Sequence, residues 1–249
     1  MDTNDNALAG LAGLADDRVL LGRTSTAERV ADILRTRITE GAFGPGARLS
    51  EEEICGALRI SRNTLRETFR LLTHERLVVH RLNRGVFVRV LTVEDLEDIY
   101  RVRSLIECAA LRALGAPPYP LDALRQAVDA GARAAAEARW RDLGTANIRF
   151  HQGIVELACS PRTDALMRGI LAELRLAFHV MDDPRRFHEP YLGRNRRILD
   201  TLAAGDAPAA ERLLAAYLAD SRRQLAEGYA AGVARVRHRP VPHARDGLR

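Results

Sequence analysis

The chain has 249 residues, which is enough for two domains with separate cores, and 47% of them are hydrophobic, as in ordinary globular proteins. No apolar run approaches the roughly 20 residues that cross a bilayer, and the acidic start of the chain does not resemble a secretion signal, so a cytoplasmic protein without a membrane partner is expected. The formal net charge is +5, and the chain contains no lysine, so its fixed positive side chains are all arginines. Arginine is a better hydrogen-bond donor to phosphate and guanine than lysine. Three isolated cysteines exclude a disulfide framework and a zinc knot.

The N-terminal part of the chain predicts a flexible arm over residues 1–23 and then three helices. Two capping boxes, Ser25-x-x-Glu28 and Ser50-x-x-Glu53, begin the first two helices, and Ser61 caps the third. The inner faces are expected to carry Val30, Ile33, Leu34 and Ile38 on the first helix, Ile54 and Leu58 on the second, and Leu65, Phe69 and Leu72 on the third.

Two short β-like runs follow the helices, over residues 77–80 and 86–90. The segment 81–85 between them is typical of a hairpin tip. Helix, helix, turn, helix and hairpin in this order predict a winged helix-turn-helix domain over residues 24–91.

The rest of the chain is expected to be helical. The predicted helices lie near residues 93–114, 120–139, 142–159, 162–181, 189–204 and 207–230, and His188 then falls in a loop. The fold class is therefore mainly α, with an all-helical bundle over residues 92–231. A basic disordered tail is expected over residues 232–249.

The third helix separates an apolar face from a basic one. Arg62, Asn63 and Arg66 lie opposite its apolar side chains. A helix in the DNA major groove needs such a face, because arginine binds guanine or phosphate and asparagine can pair with adenine. Arg48 and Arg84 could hold flanking phosphates, and Gly85 would let the wing approach closely.

Several segments resemble a known family of bacterial regulators. Residues 41–54, the segment Ile60-Ser-Arg-Asn-Thr-Leu-Arg-Glu-Thr-Phe69, and Arg84-Gly85 look like the winged helix of the GntR family. The helical remainder resembles the FCD effector domain of the FadR subfamily. The resemblance implies a homodimeric transcription regulator, expected to be a repressor, that binds operator DNA and responds to a small carboxylate or another metabolite. Together with the residue pattern it predicts DNA contacts from Arg48, Ser61, Arg62, Asn63, Thr64, Arg66, Arg84 and Gly85. Glu52 stands where some members carry a DNA-contacting arginine, so their base preference does not transfer.

Polar residues on otherwise apolar helix faces predict an effector-binding cavity. They are Arg103, Asn147, His151, Asn195 and Tyr217. Arg103 could pair either with a carboxylate of the ligand or with an internal Asp or Glu.

The resemblance also bears on metal binding and on the class of protein. Many FCD domains hold a metal with one Asp and three His, at positions that are Asn147, His151, Asn195 and Tyr217 here. Only His151 is retained, so no metal and no other cofactor is expected. The sequence contains no phosphate loop, nucleophile elbow or zinc-ligand cluster, so an enzyme is the less favoured alternative. A winged-helix protein-interaction module without DNA binding is the other.

Overall fold

The computed structural model describes residues 25–181 and 183–237, and side chains as far as residue 229. The expected N-terminal arm and residues 238–249 of the expected tail lie outside the described residues. The chain forms two compact units. The first contains the described residues up to Phe43 together with Ala47–Val88, and the second contains Gly44–Gly46 and the residues from Arg89 onward.

The first unit contains three helices and a small antiparallel sheet. Its elements are α1 (Thr26–Thr39), β1 (Arg48–Leu49), α2 (Glu51–Leu58), α3 (Arg62–His74), β2 (Val78–Arg81) and β3 (Gly85–Val88). The sheet has the order β1-β3-β2. The two-residue strand β1 is missing from the sequence prediction, because a segment so short has no periodicity to detect.

Local hydrogen bonds define where these helices begin. The Ser25 side chain accepts from the backbone of Glu28 and the Glu28 carboxylate accepts from the backbone of Ser25, which completes the predicted capping box. The hydroxyl groups of Ser50 and Ser61 also cap α2 and α3, but at Ser50 the described hydrogen bonds form only this half of the second predicted capping box. Each such cap satisfies a backbone N–H that the first turn would otherwise leave unpaired.

The core of the first unit lies between α1, α3 and the sheet. Leu65, Phe69 and Leu72 of α3 are fully buried, as predicted. Ile33 was predicted to lie on the inner face of α1 but is 44% exposed. The buried residues Val30, Leu34 and Ile38 follow a spacing of four, and Ile33 lies beside that stripe.

The second unit is entirely helical over its described part. Its helices are α4 (Val93–Arg112), α5 (Asp122–Ala136), α6 (Trp140–Glu156), α7 (Pro161–Phe178), α8 (Pro184–Ala203) and α9 (Ala207–Arg237). α4 packs against α9, α7 and α6, while α6 packs against α5 and α8. None of the helices in the described ranges combines the length and the apolar character that a membrane span needs.

Two helix ends of the second unit differ from the sequence prediction by five residues or more. α8 begins at Pro184, five residues before the predicted start, because Asp183 accepts a hydrogen bond from the Arg186 backbone and Pro184 occupies the first helical position. His188 therefore lies inside a helix, where it is buried, and not in a loop. α9 continues to Arg237, so residues 232–237, which were assigned to the tail, are helical.

Candidate nucleic-acid interface and buried polar cluster

Helix α3 presents a polar face to solvent. The exposed side chains are Arg62, Asn63 and Arg66. Leu65, on the opposite face of the same helix, is fully buried. The nearest acidic group to Arg66 is Glu51, with 3.9 Å between Nε of Arg66 and Oε2 of Glu51. At this distance an exposed pair is weak, so the guanidinium is available to an external anion.

The N-terminus of α3 adds further hydrogen-bonding groups to this face. Ser61 is exposed, and its hydroxyl caps the helix by accepting from the backbone N–H of Thr64 at 3.1 Å. The hydroxyl groups of Ser61 and Thr64 lie 2.8 Å apart. The positive end of the helix dipole and the arginines thus lie on the same turn, which suits a phosphate.

The short strand β1 brings Arg48 next to the wing. Arg48 pairs with Phe87 of β3, and Leu49 pairs with Val86. A Cβ on Gly85 would lie 3.5 Å from Nε of Arg48, and Gly85 has a φ of +98° that other residues rarely adopt. Arg48 on the edge strand β1 therefore lies beside Gly85, which begins the central strand β3, and Arg84 is exposed at the hairpin tip.

The second unit contains a group of polar side chains in its core, which we call the polar cluster. It consists of Arg103 and Glu107 on α4, Asn147 and His151 on α6, Asn195 on α8 and Tyr217 on α9. Asn147 is half-buried and the other five residues are buried. The five residues predicted for the effector site therefore lie together, and Glu107 joins them.

One half of the polar cluster is a chain of three ionisable side chains. Nε of Arg103 donates to Oε1 of Glu107 at 2.8 Å. Nδ1 of His151 lies 2.6 Å from the other carboxylate oxygen. The sequence left two partners open for Arg103, a ligand carboxylate or an internal acid. In the structure an internal acid, Glu107, pairs with it.

The charges in this chain follow from burial and proximity. Burial opposes ionisation of Glu107, but the charge of Arg103 and the hydrogen bond with His151 lower the pKa of Glu107 below its usual value. Burial lowers the pKa of His151, although the Glu107 carboxylate acts in the opposite direction. His151 is therefore neutral near pH 7, and its Nδ1 carries the proton donated to Glu107.

The other half of the polar cluster is held by neutral hydrogen bonds. Oδ1 of Asn147 accepts from Nδ2 of Asn195 at 2.7 Å and from the hydroxyl of Tyr217 at 2.9 Å. Burial raises the pKa of Tyr217, although the charge of Arg103 lowers it in part, so the phenol remains protonated. The two halves meet at His151 and Tyr217, whose ring centroids lie 4.8 Å apart in an edge-to-face arrangement.

Three buried atoms of the polar cluster have no hydrogen-bond partner among the residues that the structure describes. They are Nη2 of Arg103, Nε2 of His151 and Oδ1 of Asn195. Unpaired buried polar atoms are rare and costly, so these three atoms call for partners such as water or a bound molecule.

The polar cluster does not fit the metal ion of related FCD domains. Two of the four positions hold neutral amides, and the third holds a phenol whose hydrogen is donated to Asn147. Divalent cations prefer carboxylate and imidazole ligands, and of the four positions His151 alone offers one, while the nearby Glu107 carboxylate is paired with Arg103. Over residues 25–181 and 183–237, no group of three or more His, Cys, Asp or Glu side chains is arranged to hold a metal.

Glu107 was missed by the sequence analysis. The spacing could have predicted it, because Glu107 lies four residues after Arg103 on the same helix face, where the two side chains can form an ion pair. The alternatives for Arg103 included an internal acid without naming it.

Two family patterns match the chain. The pattern described as "Bacterial regulatory proteins, gntR family" covers residues 26–88, and that of the FCD domain covers residues 98–220. The chain belongs to the GntR family. It is a bacterial transcription regulator with a winged helix and an FCD domain, and not a member of an enzyme family.

Relatives with similar lengths support this assignment. A protein of Paenarthrobacter nicotinovorans, whose name describes a repressor of a D-xylose utilization operon, is 31% identical over 80% of this chain and 88% of its own. The galactonate operon transcriptional repressor of Escherichia coli is 27% identical over 80% of this chain and 96% of its own. The crystal structure of a GntR transcriptional regulator from Rhodococcus sp. RHA1 is 50% identical, with a TM-score of 0.78 over 81% of this chain and 98% of its own.

Proposed function

We propose that this GntR regulator is a repressor that binds operator DNA through α3 and the wing and responds to a small molecule bound at the polar cluster. The observation that carries the DNA part is the exposed face of α3, where Arg62, Asn63 and Arg66 lie next to a capped helix N-terminus. In a helix-turn-helix the N-terminal residues of this helix contact base edges. Arg48, Arg84 and Gly85 would contact the flanking backbone, and such a protein would act in the cytoplasm.

We further propose that the repressor is a homodimer, as operators with two half-sites require. Two exposed leucines support this arrangement. Leu105 on α4 is 65% exposed and Leu166 on α7 is 62% exposed, and these two helices pack against each other. Large apolar side chains on neighbouring helices are suited to burial against a second copy.

The response to the effector requires that ligand binding at the polar cluster and DNA binding at α3 be thermodynamically coupled. A ligand changes operator affinity only if it binds one arrangement of the protein more tightly than another. The three unpaired atoms of the polar cluster support this cluster as the ligand site. The names of the relatives leave the ligand class open, since one names a neutral sugar and the other a sugar acid. The carboxylate expected from the sequence stays a prediction.

The test begins with selection of bound sequences from a random duplex library at about 150 mM salt, where non-specific phosphate contacts are weakened. The affinity of Arg66→Ala for the selected duplex is then compared with that of the wild type. A lost base contact should weaken binding by about 1–3 kcal/mol. Arg125→Ala is the matched control, because Arg125 is an exposed arginine on α5 paired with Asp122 and should leave the affinity unchanged.

Two outcomes would contradict the proposal. If the wild type shows no preference among duplexes, with and without candidate metabolites, the winged helix is an interaction module and not an operator-binding domain. If Arg66→Ala is folded and binds as tightly as the wild type, the helix face is not the contact surface.

A further inference from the structure

The polar cluster has an unusual electrostatic balance. Its cation, Arg103, is already neutralised by the Glu107 carboxylate through a hydrogen bond of 2.8 Å. A second arginine, Arg194, stacks over the Tyr217 ring at 5.3 Å and is paired with Asp220 at 3.0 Å. The Asp220 carboxylate also accepts from Arg223 at 2.6 Å, but these three side chains are at least 33% exposed, whereas the buried Arg103 is balanced by the buried Glu107.

A carboxylate ligand would disturb this balance. It would add a net negative charge to a region where Arg103, Glu107 and His151 are at most 2% exposed. Burying an unpaired charge is strongly unfavourable, because water no longer solvates it. The charge balance thus favours a ligand without net charge.

The three unpaired atoms define which hydrogen bonds such a ligand must make. The Nδ1 proton of His151 is donated to Glu107, so Nε2 is an acceptor. Nδ2 of Asn195 donates its hydrogen bond to Oδ1 of Asn147. The unpaired atom of the same amide, Oδ1, is a second acceptor. Nη2 of Arg103, by contrast, is a donor.

Two acceptors and one donor require a ligand that both donates and accepts. A hydroxyl group does both, whereas a carboxylate only accepts and leaves the two acceptors unpaired. A ligand with several hydroxyl groups offers donors for both acceptors and an acceptor for the arginine.

We propose that the polar cluster binds a neutral polyhydroxylated small molecule, a sugar or a polyol, whose hydroxyl groups donate to Nε2 of His151 and Oδ1 of Asn195 and accept from Nη2 of Arg103. This inference rests on the proposed function, since it names the ligand class of the same effector site. It departs from the carboxylate that the sequence predicts.

The experiment compares neutral compounds with acids of the same carbon number. The probes are five- and six-carbon aldoses and their alditols, with D-xylose and D-galactose among them, and the corresponding aldonates. Each is added at about 10 mM to the full-length protein, and the melting temperature is measured, because a ligand that binds the folded state raises it. Isothermal titration then gives the affinity of any compound that shifts the melting temperature. We expect at least one neutral compound to bind and its aldonate to bind at least tenfold more weakly.

Two variants assign the binding to the polar cluster. His151→Asn places an amide near the position of Nδ1, which retains a donor to Glu107 and removes Nε2. Asn195→Leu keeps a similar shape and removes Oδ1. Each should weaken binding of the neutral compound at least tenfold. Gln152→Leu is the matched control, because Oε1 of Gln152 is also a buried amide oxygen without a partner in the described part of the chain, but it lies outside the polar cluster.

Several results would overturn the inference. One is binding of an aldonate without binding of the neutral counterpart. Another is the absence of a shift with every neutral compound, and a third is unchanged affinity in both variants when their unliganded melting temperatures show that they are folded. These results leave the DNA-binding experiment untouched. Loss of operator preference with intact sugar binding would instead contradict only the proposed repressor.

Discussion

His188 is expected to make the second unit sensitive to acid. Its ring is enclosed between Phe178 and Phe187, with centroid distances of 4.7 and 4.9 Å. It also lies against Gly144 so closely that a Cβ there would be 2.7 Å from Nε2 of His188. Nδ1 has no hydrogen-bond partner among the described residues, so the ring is buried in its neutral form.

The size of the acid effect follows from the pKa. Burial, with a smaller contribution from the charge of Arg175, lowers the pKa of His188 from 6.5 to about 4. The unfolded chain takes up a proton near pH 6.5, whereas the folded protein does so only near pH 4. The free energy of unfolding therefore falls as the pH decreases from about 6.5 to about 4, and the full difference is about 3 kcal/mol.

The assay is chemical unfolding of the wild type and of His188→Leu at several pH values and one fixed protein concentration. The only tryptophan of the chain, Trp140, lies on α6, so its fluorescence reports on the second unit. The wild type should lose about 3 kcal/mol more than His188→Leu across this pH range. The comparison of the two proteins cancels the contribution of His151, whose pKa is also lowered by burial.

The control is His74→Asn, which removes an exposed histidine of the first unit and should leave the unfolding reported by Trp140 in the second unit unchanged. Parallel pH profiles for the wild type and His188→Leu would refute the argument, because they would mean that His188 is protonated equally in both states.

Two further predictions concern ion pairing and the dimer. Arg89→Ala should lower the free energy of unfolding of the second unit by about 2 kcal/mol in the same fluorescence assay, because Arg89 donates to Asp95 at 2.6 Å and to the buried carboxylate of Glu173. Arg101→Ala removes an exposed pair on α4 and should cost less than about 0.5 kcal/mol, so equal losses would contradict the prediction. Leu105→Glu should shift the protein toward monomer in analytical ultracentrifugation at micromolar concentration, because a dimer would bury this exposed leucine. An unchanged dimer in Leu105→Glu would place the interface elsewhere.

The sequence predicts most clearly those features that depend on neighbouring residues. Ser25, Ser50 and Ser61 all cap helices through hydrogen bonds to a residue three positions later, so a short pattern contains the whole interaction. The Asp183–Pro184 start of α8 carries an equally local signal that was overlooked. The helix therefore begins earlier than predicted, and its first turns bury His188.

Features that depend on distant residues are harder to predict. The five polar residues predicted for the effector site come together because each lies on an apolar helix face, and apolar faces meet in the core. The pattern of apolar residues does not reveal which polar atoms form hydrogen bonds within the core. The pair of Arg103 and Glu107 is local to α4, but the packing of α4 against α6 is what places His151 on the same carboxylate.

Helix α9 connects the polar cluster to the segment that follows the wing. Tyr217 belongs to the polar cluster, and about 18 Å farther along the helix the hydroxyl of Tyr229 donates to the backbone oxygen of Leu91 at 3.0 Å. Leu91 lies three residues after the end of β3. Because a helix is stiff along its axis, a ligand that displaced Tyr217 along that axis would also displace the contact at Leu91. The coupling free energy still has to come from the ligand's preference for one position of α9, so substituting Tyr229 with Phe should reduce the effect of the ligand on operator affinity more than it reduces binding of the ligand itself.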